Sequence, residues 1–278
     1  MREDLAGGDA RAGGHARAGG DARAGSDARA DGQGLAGRAV LVTGGTRGIG
    51  AGIARAFLAA GADVLVCARR PGPVPDGARF AEADVRDPAQ VDALIDAAVG
   101  AFGRLDVVVN NAGGAPPADA ATASPRFHAK VIELNLIAPL HVAQRANAVM
   151  QQQPDGGAIV MIGSVSGVRP SPGTAAYGAA KAGLHQLAVS LAVEWAPKVR
   201  VNTVVAGMVE TEQSALHYGD ADGIAAVART VPLGRMATPE DIAAACLYFA
   251  SPASAYVSGA ALLVHGGGER PAFLDAAH

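Results

Sequence analysis

From Arg38 onward, short runs of aliphatic residues alternate with longer stretches of helical period, and few architectures accept that order. Apolar runs without polar alternation read as strands buried on both faces, and the helices between them are the crossovers that parallel strands require. Strands are predicted at 39–43, 62–67, 79–83, 105–109, 158–162, 199–205 and 260–264. A first helix carries Ile49, Ile53 and Phe57 on one stripe and stops at Gly61. A second begins after Asp87-Pro88 and repeats Val91, Leu94, Ile95, Ala98 and Phe102. A long helical region is predicted over 124–150, further helices over 177–195 and 239–249, and irregular or broken helix over 208–231. The fold class is α/β: one doubly wound, seven-stranded parallel sheet with helices on both faces, its ligands bound beyond the carboxyl ends of the strands.

The remaining sequence narrows the classes of function. A chain of 278 residues, 50% of them apolar, can bury a large core. A net charge of -3 leaves no electrostatic footprint for nucleic acid, so a small-molecule partner is expected. The two cysteines, Cys67 and Cys246, lie in apolar runs, which argues against a disulfide framework and for a reducing, cytoplasmic location. The stretch 242–264 has no charged residue, but Ser251, Pro252, Ser254, Ser258 and Gly259 interrupt it, so helix, turn and buried strand are expected and no membrane span. The first residues are different material: GGDARA, GGHARA, GGDARA and GSDARA run in tandem from Gly7 to Ala30. With almost nothing to bury, and with no apolar segment of a signal peptide, 1–35 is expected to be a disordered tail ahead of one folded domain at 36–278.

Two local patterns carry chemistry. Thr43-Gly44-Gly45-Thr46-Arg47-Gly48-Ile49-Gly50 falls between a predicted strand and a predicted helix. Glycine there permits a tight turn and lets backbone approach a pyrophosphate, whose charge a helix N-terminus stabilises. No Gly-Lys-Ser/Thr follows, so a triphosphate P-loop is not supported. Tyr177 and Lys181 stand four apart on a predicted helix, thirteen residues after Ser164. Positions i and i+4 share a face, so the ammonium can favour the phenolate and bring a phenol of pKa about 10 toward proton exchange with an alcohol or carbonyl.

Together, TGGTRGIG, the Asn110-Asn111-Ala112-Gly113 run, Ser164 and YGAAK resemble the short-chain dehydrogenase/reductase family, its 3-oxoacyl reductase-like branch, in order and spacing from about Gly37 to Gly268. The resemblance implies a Rossmann-type domain that interconverts a carbonyl and a secondary alcohol. It implies that Tyr177 is the general acid or base, that Lys181 lowers its pKa and binds the nicotinamide ribose, and that Ser164 hydrogen-bonds the substrate oxygen. Asn135 matches the Asn that holds a water linking the lysine to solvent. Asn111, Ala112 and Gly113 match residues lining the cofactor, Asp84 and Val85 the pair at the adenine, and Val209 and Thr211 the cofactor contacts of the loop after the sixth strand. A homotetramer or homodimer is implied, built partly from the helices around 132–150 and 177–195. Two departures stand out: Ala206-Gly207 replaces the usual Pro-Gly, which should loosen that loop, and His265 stands where an Asp often precedes paired glycines.

Cofactor choice follows from charge. Where an acidic residue would bind an unphosphorylated ribose, after the second strand, this chain has Ala68, Arg69 and Arg70. Arg47 and Arg69 are suited to a 2′-phosphate, so NADP(H) is preferred; if they are only solvated loop charges, NAD(H) remains open. His128, His141, His185, His217 and His265 show no metal spacing, and no metal is expected. Ser164 lies in IGSVSG and lacks the Gly-x-Ser-x-Gly context of a hydrolase. A dinucleotide-binding sensor or scaffold without turnover is the alternative from another class, and an NAD(H)-dependent alcohol dehydrogenase the alternative within enzymes.

Overall fold

The computed structural model describes residues 34–271 and Phe273. The repeat tail expected over 1–35 lies outside the described residues except for its last two, and Leu35 is already buried in the core. Strands β1 (Ala39–Thr43), β2 (Asp63–Ala68), β3 (Arg79–Glu82), β4 (Val107–Asn110), β5 (Gly157–Ser164), β6 (Val199–Ala206) and β7 (Ala261–Val264) form one parallel sheet in the order β3-β2-β1-β4-β5-β6-β7. Between them run α1 (Gly48–Ala59), α2 (Pro88–Phe102), α3 (Pro125–Ile132), α4 (Ala138–Met150), α5 (Ala175–Glu194), α6 (Ala215–Tyr218), α7 (Ala221–Thr230) and α8 (Pro239–Ala250).

Strand alternation divides the core. Val40 and Val42 of β1 face Ile53, Phe57, Ile242 and Phe249 of α1 and α8. Leu41 faces the opposite layer, where α2, α4 and α5 contribute Leu94, Ile95, Met150 and Leu184. Each such side chain stabilises the fold by about 1.5–3 kcal/mol on burial. Gly52 lets α1 and α8 meet, since a Cβ there would lie 2.3 Å from Pro239 Cβ. At the opposite end from the glycine-rich turn, buried Asp106 accepts from Arg104 (2.6 Å), Arg38 (3.1 Å) and the Ala39 N–H (2.8 Å), pinning the starts of β1 and β4 together.

The sheet grows outward from β1 in both directions, so its switch point lies between β1 and β4, where Thr43 and Asn110 end their strands. Element boundaries shift from the sequence reading by a residue or two. Ala62 belongs to the turn closing α1, donating to Phe57 O (3.0 Å), and β2 starts one residue later. The larger difference is at 124–150, which is not one helix: a π-helical turn, Glu133–Ile137, separates α3 from α4. Pro139 has no N–H to return to the carbonyl of Asn135, and the widened turn buries the Asn135 side chain completely.

Candidate active site

The glycine-rich turn is clamped to the neighbouring strand end. Thr43 Oγ1 accepts the N–H groups of Asn111 and Ala112 (both 3.0 Å), and Asn111 Nδ2 donates to the carbonyls of Thr43 (2.8 Å) and Gly44 (3.1 Å). Thr43 and Asn111 therefore use their side chains to hold the turn rather than leaving them free for a ligand. Gly44 and Gly48 sit at positive φ (+65° and +53°), and a Cβ on Gly50 would lie 2.3 Å from Gly44 O. Arg47, at the N-cap of α1, makes no capping hydrogen bond with its side chain; instead the Gly48 N–H donates to Glu212 Oε1 (3.0 Å). A carboxylate thus occupies the anion position of this helix terminus, so the cradle fits the pyrophosphate of a dinucleotide in both space and charge.

The far end of the groove is basic at β2. Ala68 ends the strand, with Arg69 and Arg70 exposed after it and Arg47 exposed on the turn beside it. Thr46 and Ile49 line the half-buried flank of the turn. Asp84 spends its carboxylate on Arg86 Nε (2.9 and 3.2 Å), whose hydrogen bonding, helped by the charge of Arg69, holds it below the usual carboxylate range. Val85 behind it is part of the core.

Ser164, Tyr177, Lys181 and Asn135 converge at the carboxyl ends of β4 and β5. Ser164 is the last residue of β5, and its side chain hydrogen-bonds the phenol of Tyr177 in the first turn of α5. Two glycines allow the approach: a Cβ on Gly178 would lie 2.7 Å from Ser166 O, and one on Gly167 2.7 Å from the Ala182 nitrogen. Lys181 is 3% exposed; its Nζ donates to Ile162 O (2.8 Å) and lies 5.6 Å from the Tyr177 ring centroid. Burial pushes the Lys181 ammonium down to about 8. The Tyr177 phenol is held above its ordinary value, because burial outweighs the hydrogen bond from Ser164. Lys181 does not offset this: with its ammonium brought down to about 8, the lysine is already neutral in the alkaline range where a phenol loses its proton, and exerts little field there. The imidazole of His185, one turn beyond, is held below its ordinary pKa by its own burial and by the charge of Lys181.

The side-chain amide of Asn135 is committed within the protein. Its Oδ1 accepts the Gly114 N–H (2.8 Å), while Nδ2 donates to Gly114 O (3.0 Å) and Val131 O (2.9 Å), so the amide braces the loop after β4. A Cβ on Gly113 would lie 2.7 Å from this Oδ1 and 3.4 Å from Lys181 Nζ, so only glycine fits between them. The loop after β6 is firmly held without its proline. Ala237 N donates to Met208 O and Glu210 N to Ala237 O (both 2.8 Å), which bridges Val209 to Ala237, and Thr211 N donates to Ser214 Oγ (2.9 Å). This strand-like contact ties the loop down where the proline ring is missing.

Sequence reasoning missed Glu212, on the helix terminus, and Tyr218, which lies within electrostatic reach of Tyr177. Neither belongs to a spaced motif, and both arrive from a segment that pattern alone leaves irregular. Among the described residues, no group of three or more His, Cys, Asp or Glu could hold a metal, and no helix is long and apolar enough to cross a membrane.

A family model described as Enoyl-(Acyl carrier protein) reductase matches residues 44–269. The chain is 36% identical over 248 residues to 3beta-hydroxysteroid dehydrogenase 1 of Eggerthella lenta, covering 84% of this chain and 94% of that protein. It is 36% identical over 246 residues to the 3-oxoacyl-[acyl-carrier-protein] reductase FabG of Chlamydia muridarum, covering 84% and 98%. Among solved structures, the ligand-free aldohexose dehydrogenase of Thermoplasma acidophilum superposes with a TM-score of 0.80 at 29% identity, covering 84% of this chain and 94% of that one.

Proposed function

The chain belongs to the short-chain dehydrogenase/reductase family, NAD(P)-dependent enzymes acting on CH–OH groups, and on that premise we propose that it is an NADP(H)-dependent oxidoreductase in which Tyr177 exchanges the proton. The observation that carries this reading is the assembled Ser164–Tyr177–Lys181 set, with the serine hydroxyl on the phenol and the lysine held beside the ring. The bound nicotinamide supplies the hydride in reduction and accepts it in oxidation. Tyr177 gives its proton to the carbonyl oxygen as the hydride arrives, or takes it from the hydroxyl in the reverse direction. Ser164 donates to the same oxygen and stabilises its developing charge. Lys181, anchored on Ile162 O, would hold the ribose hydroxyls of a bound nucleotide and return the proton to Tyr177. Asn135 has its side-chain amide committed to Gly114 and Val131, so any part it takes in the relay falls to its backbone carbonyl, to which Pro139 has no N–H to give.

Gly44, Gly48 and Gly50 would cradle the pyrophosphate, Ala112 and Gly113 the nicotinamide ribose, Val209 and Thr211 the carboxamide end, and Val85 the adenine. Arg47 and Arg69 support the 2′-phosphate assignment, since both are exposed and no carboxylate stands at Ala68. Titration with NADPH and NADH tests this. Tighter NADPH binding that inverts in Arg69→Asp is expected; equal binding of the two nucleotides, unchanged by the substitution, refutes the preference.

Two wider inferences accompany it. Cys67 and Cys246 are both buried free thiols, which supports a cytoplasmic location. Val189 and Val193 on α5, Ile132 and Ile137 near α4, and Leu262 on the β7 edge are exposed, which supports a homodimer or homotetramer closing over these faces.

A further inference from the structure

A cavity of about 250 Å³ opens between the segments that follow β5, β6 and β7. Its apolar walls are Val165, Val168, Met208 and Leu263, and Val165 directly follows Ser164. Its polar side chains are Arg169, His265 and Glu269, of which Arg169 and Glu269, a hundred residues apart, are paired through Arg169 Nη2 and Glu269 Oε1 (2.5 Å). Arg169 Nη1 donates to Pro170 O (2.8 Å), while its Nε is buried without a protein partner. Tyr218 links the cavity to the reacting centre. Its hydroxyl donates to Met208 Sδ (3.4 Å), and it lies within electrostatic reach of Tyr177 on one side and of Arg169 and Glu269 on the other.

The chemistry of the pair selects among end groups. A carboxylate reaching Arg169 would also meet Glu269, and an ammonium reaching Glu269 would meet Arg169. An alkyl end would strip water from both charges and return no hydrogen bond. A hydroxyl is the group that accepts from the guanidinium and donates to the carboxylate at once. The volume falls below the roughly 300–1,000 Å³ of pockets for drug-sized ligands, which favours a compact molecule.

We propose that Arg169 and Glu269 form a hydroxyl-reading subsite, so that the substrate is a compact, neutral ketone bearing a hydroxyl remote from the reacting carbon, or the corresponding diol or polyol. This rests on the assignment of Ser164 and Tyr177 as the reacting centre. The full chain, supplied with the nucleotide it binds, is assayed on cyclohexanones carrying a methyl, a hydroxyl or a carboxylate opposite the carbonyl. The wild type is expected to favour the hydroxyl over the methyl compound by about tenfold or more in kcat/KM. Glu269→Gln leaves Arg169 uncompensated, and the carboxylate compound should then gain on the hydroxyl compound by about tenfold. Arg169→Leu should erase the preference for hydroxyl over methyl, with nucleotide affinity unchanged as the check on folding. A wild-type preference for the methyl or carboxylate compound overturns the proposal without reference to any variant. An end-group ratio that Glu269→Gln does not move assigns the pair to anchoring the C-terminal segment and overturns it too. Wild-type protein that binds nucleotide but turns over none of the three removes the catalytic reading and the proposal together.

Discussion

Replacing Lys181 with Met should make the protein more stable at neutral pH while removing its activity. The ammonium falls from an ordinary value of 10.5 to about 8 because it is taken out of water. At about 1.4 kcal/mol per pKa unit, keeping it charged at pH 7 costs the folded state about 3 kcal/mol. The sign follows from proton counts. Between about pH 8 and pH 10.5 the unfolded chain holds the lysine proton and the folded chain does not, so folding stability rises with pH across that window, and the penalty is complete below it. Met fills similar volume without charge, but it leaves Ile162 O without the donor now at 2.8 Å. That loss takes back about 1–2 kcal/mol, for a net gain of about 1–2 kcal/mol at pH 7. For a domain of this size the melting temperature should rise by about 2–8 °C. Urea unfolding of both proteins from pH 7 to pH 10 measures the difference. The advantage of Lys181→Met should shrink through pH 8 and reverse near pH 10, where wild-type lysine is neutral and keeps its hydrogen bond. A difference that stays constant across that range would refute the reasoning.

Glu212→Gln removes the negative charge that now sits on the Gly48 N–H, so nucleotide should bind about three- to tenfold more tightly by fluorescence titration; weaker binding would mean the carboxylate supports the cradle rather than competing for it. Gly178→Ala puts a Cβ 2.7 Å from Ser166 O and should push Tyr177 off Ser164, cutting kcat by about a hundredfold with nucleotide affinity little changed; steady-state kinetics on any accepted ketone decides this. Asp106→Ala strips two arginines and a strand N–H of their shared acceptor far from the site. It should cost about 3 kcal/mol in urea unfolding while leaving kcat of the folded fraction intact.

Much of this architecture is legible in the residues because its signals are local. Ile53 and Phe57 repeat at helical spacing and are fully buried, and Asp87-Pro88 caps α2 through the Ala89 N–H as such a pair should. Tyr177 and Lys181 share a helix face, so four residues of sequence suffice to bring them together. Less was readable where a side chain answers to a distant partner. Pro139 marks a break near Asn135, but that the break is a π turn depends also on a partner at Gly114 that the local sequence does not show. The meeting of Arg169 with Glu269 and of Gly48 with Glu212 depends on how the segments after β6 and β7 fold back, and no period encodes that. The pKa of Tyr177 is hidden from the sequence for a related reason. A pairwise view supplies the lysine charge, but the depth at which the packing buries both groups decides the sign.

The proposed role of Tyr177, carrying the proton of a carbonyl–alcohol interconversion, is tested by single-turnover reduction with saturating NADPH by Tyr177→Phe. The rate should fall by at least about a hundred- to ten-thousandfold, with the dissociation constant for NADPH unchanged, because the ring stays and only the hydroxyl is lost. Turnover at the wild-type rate would contradict that role.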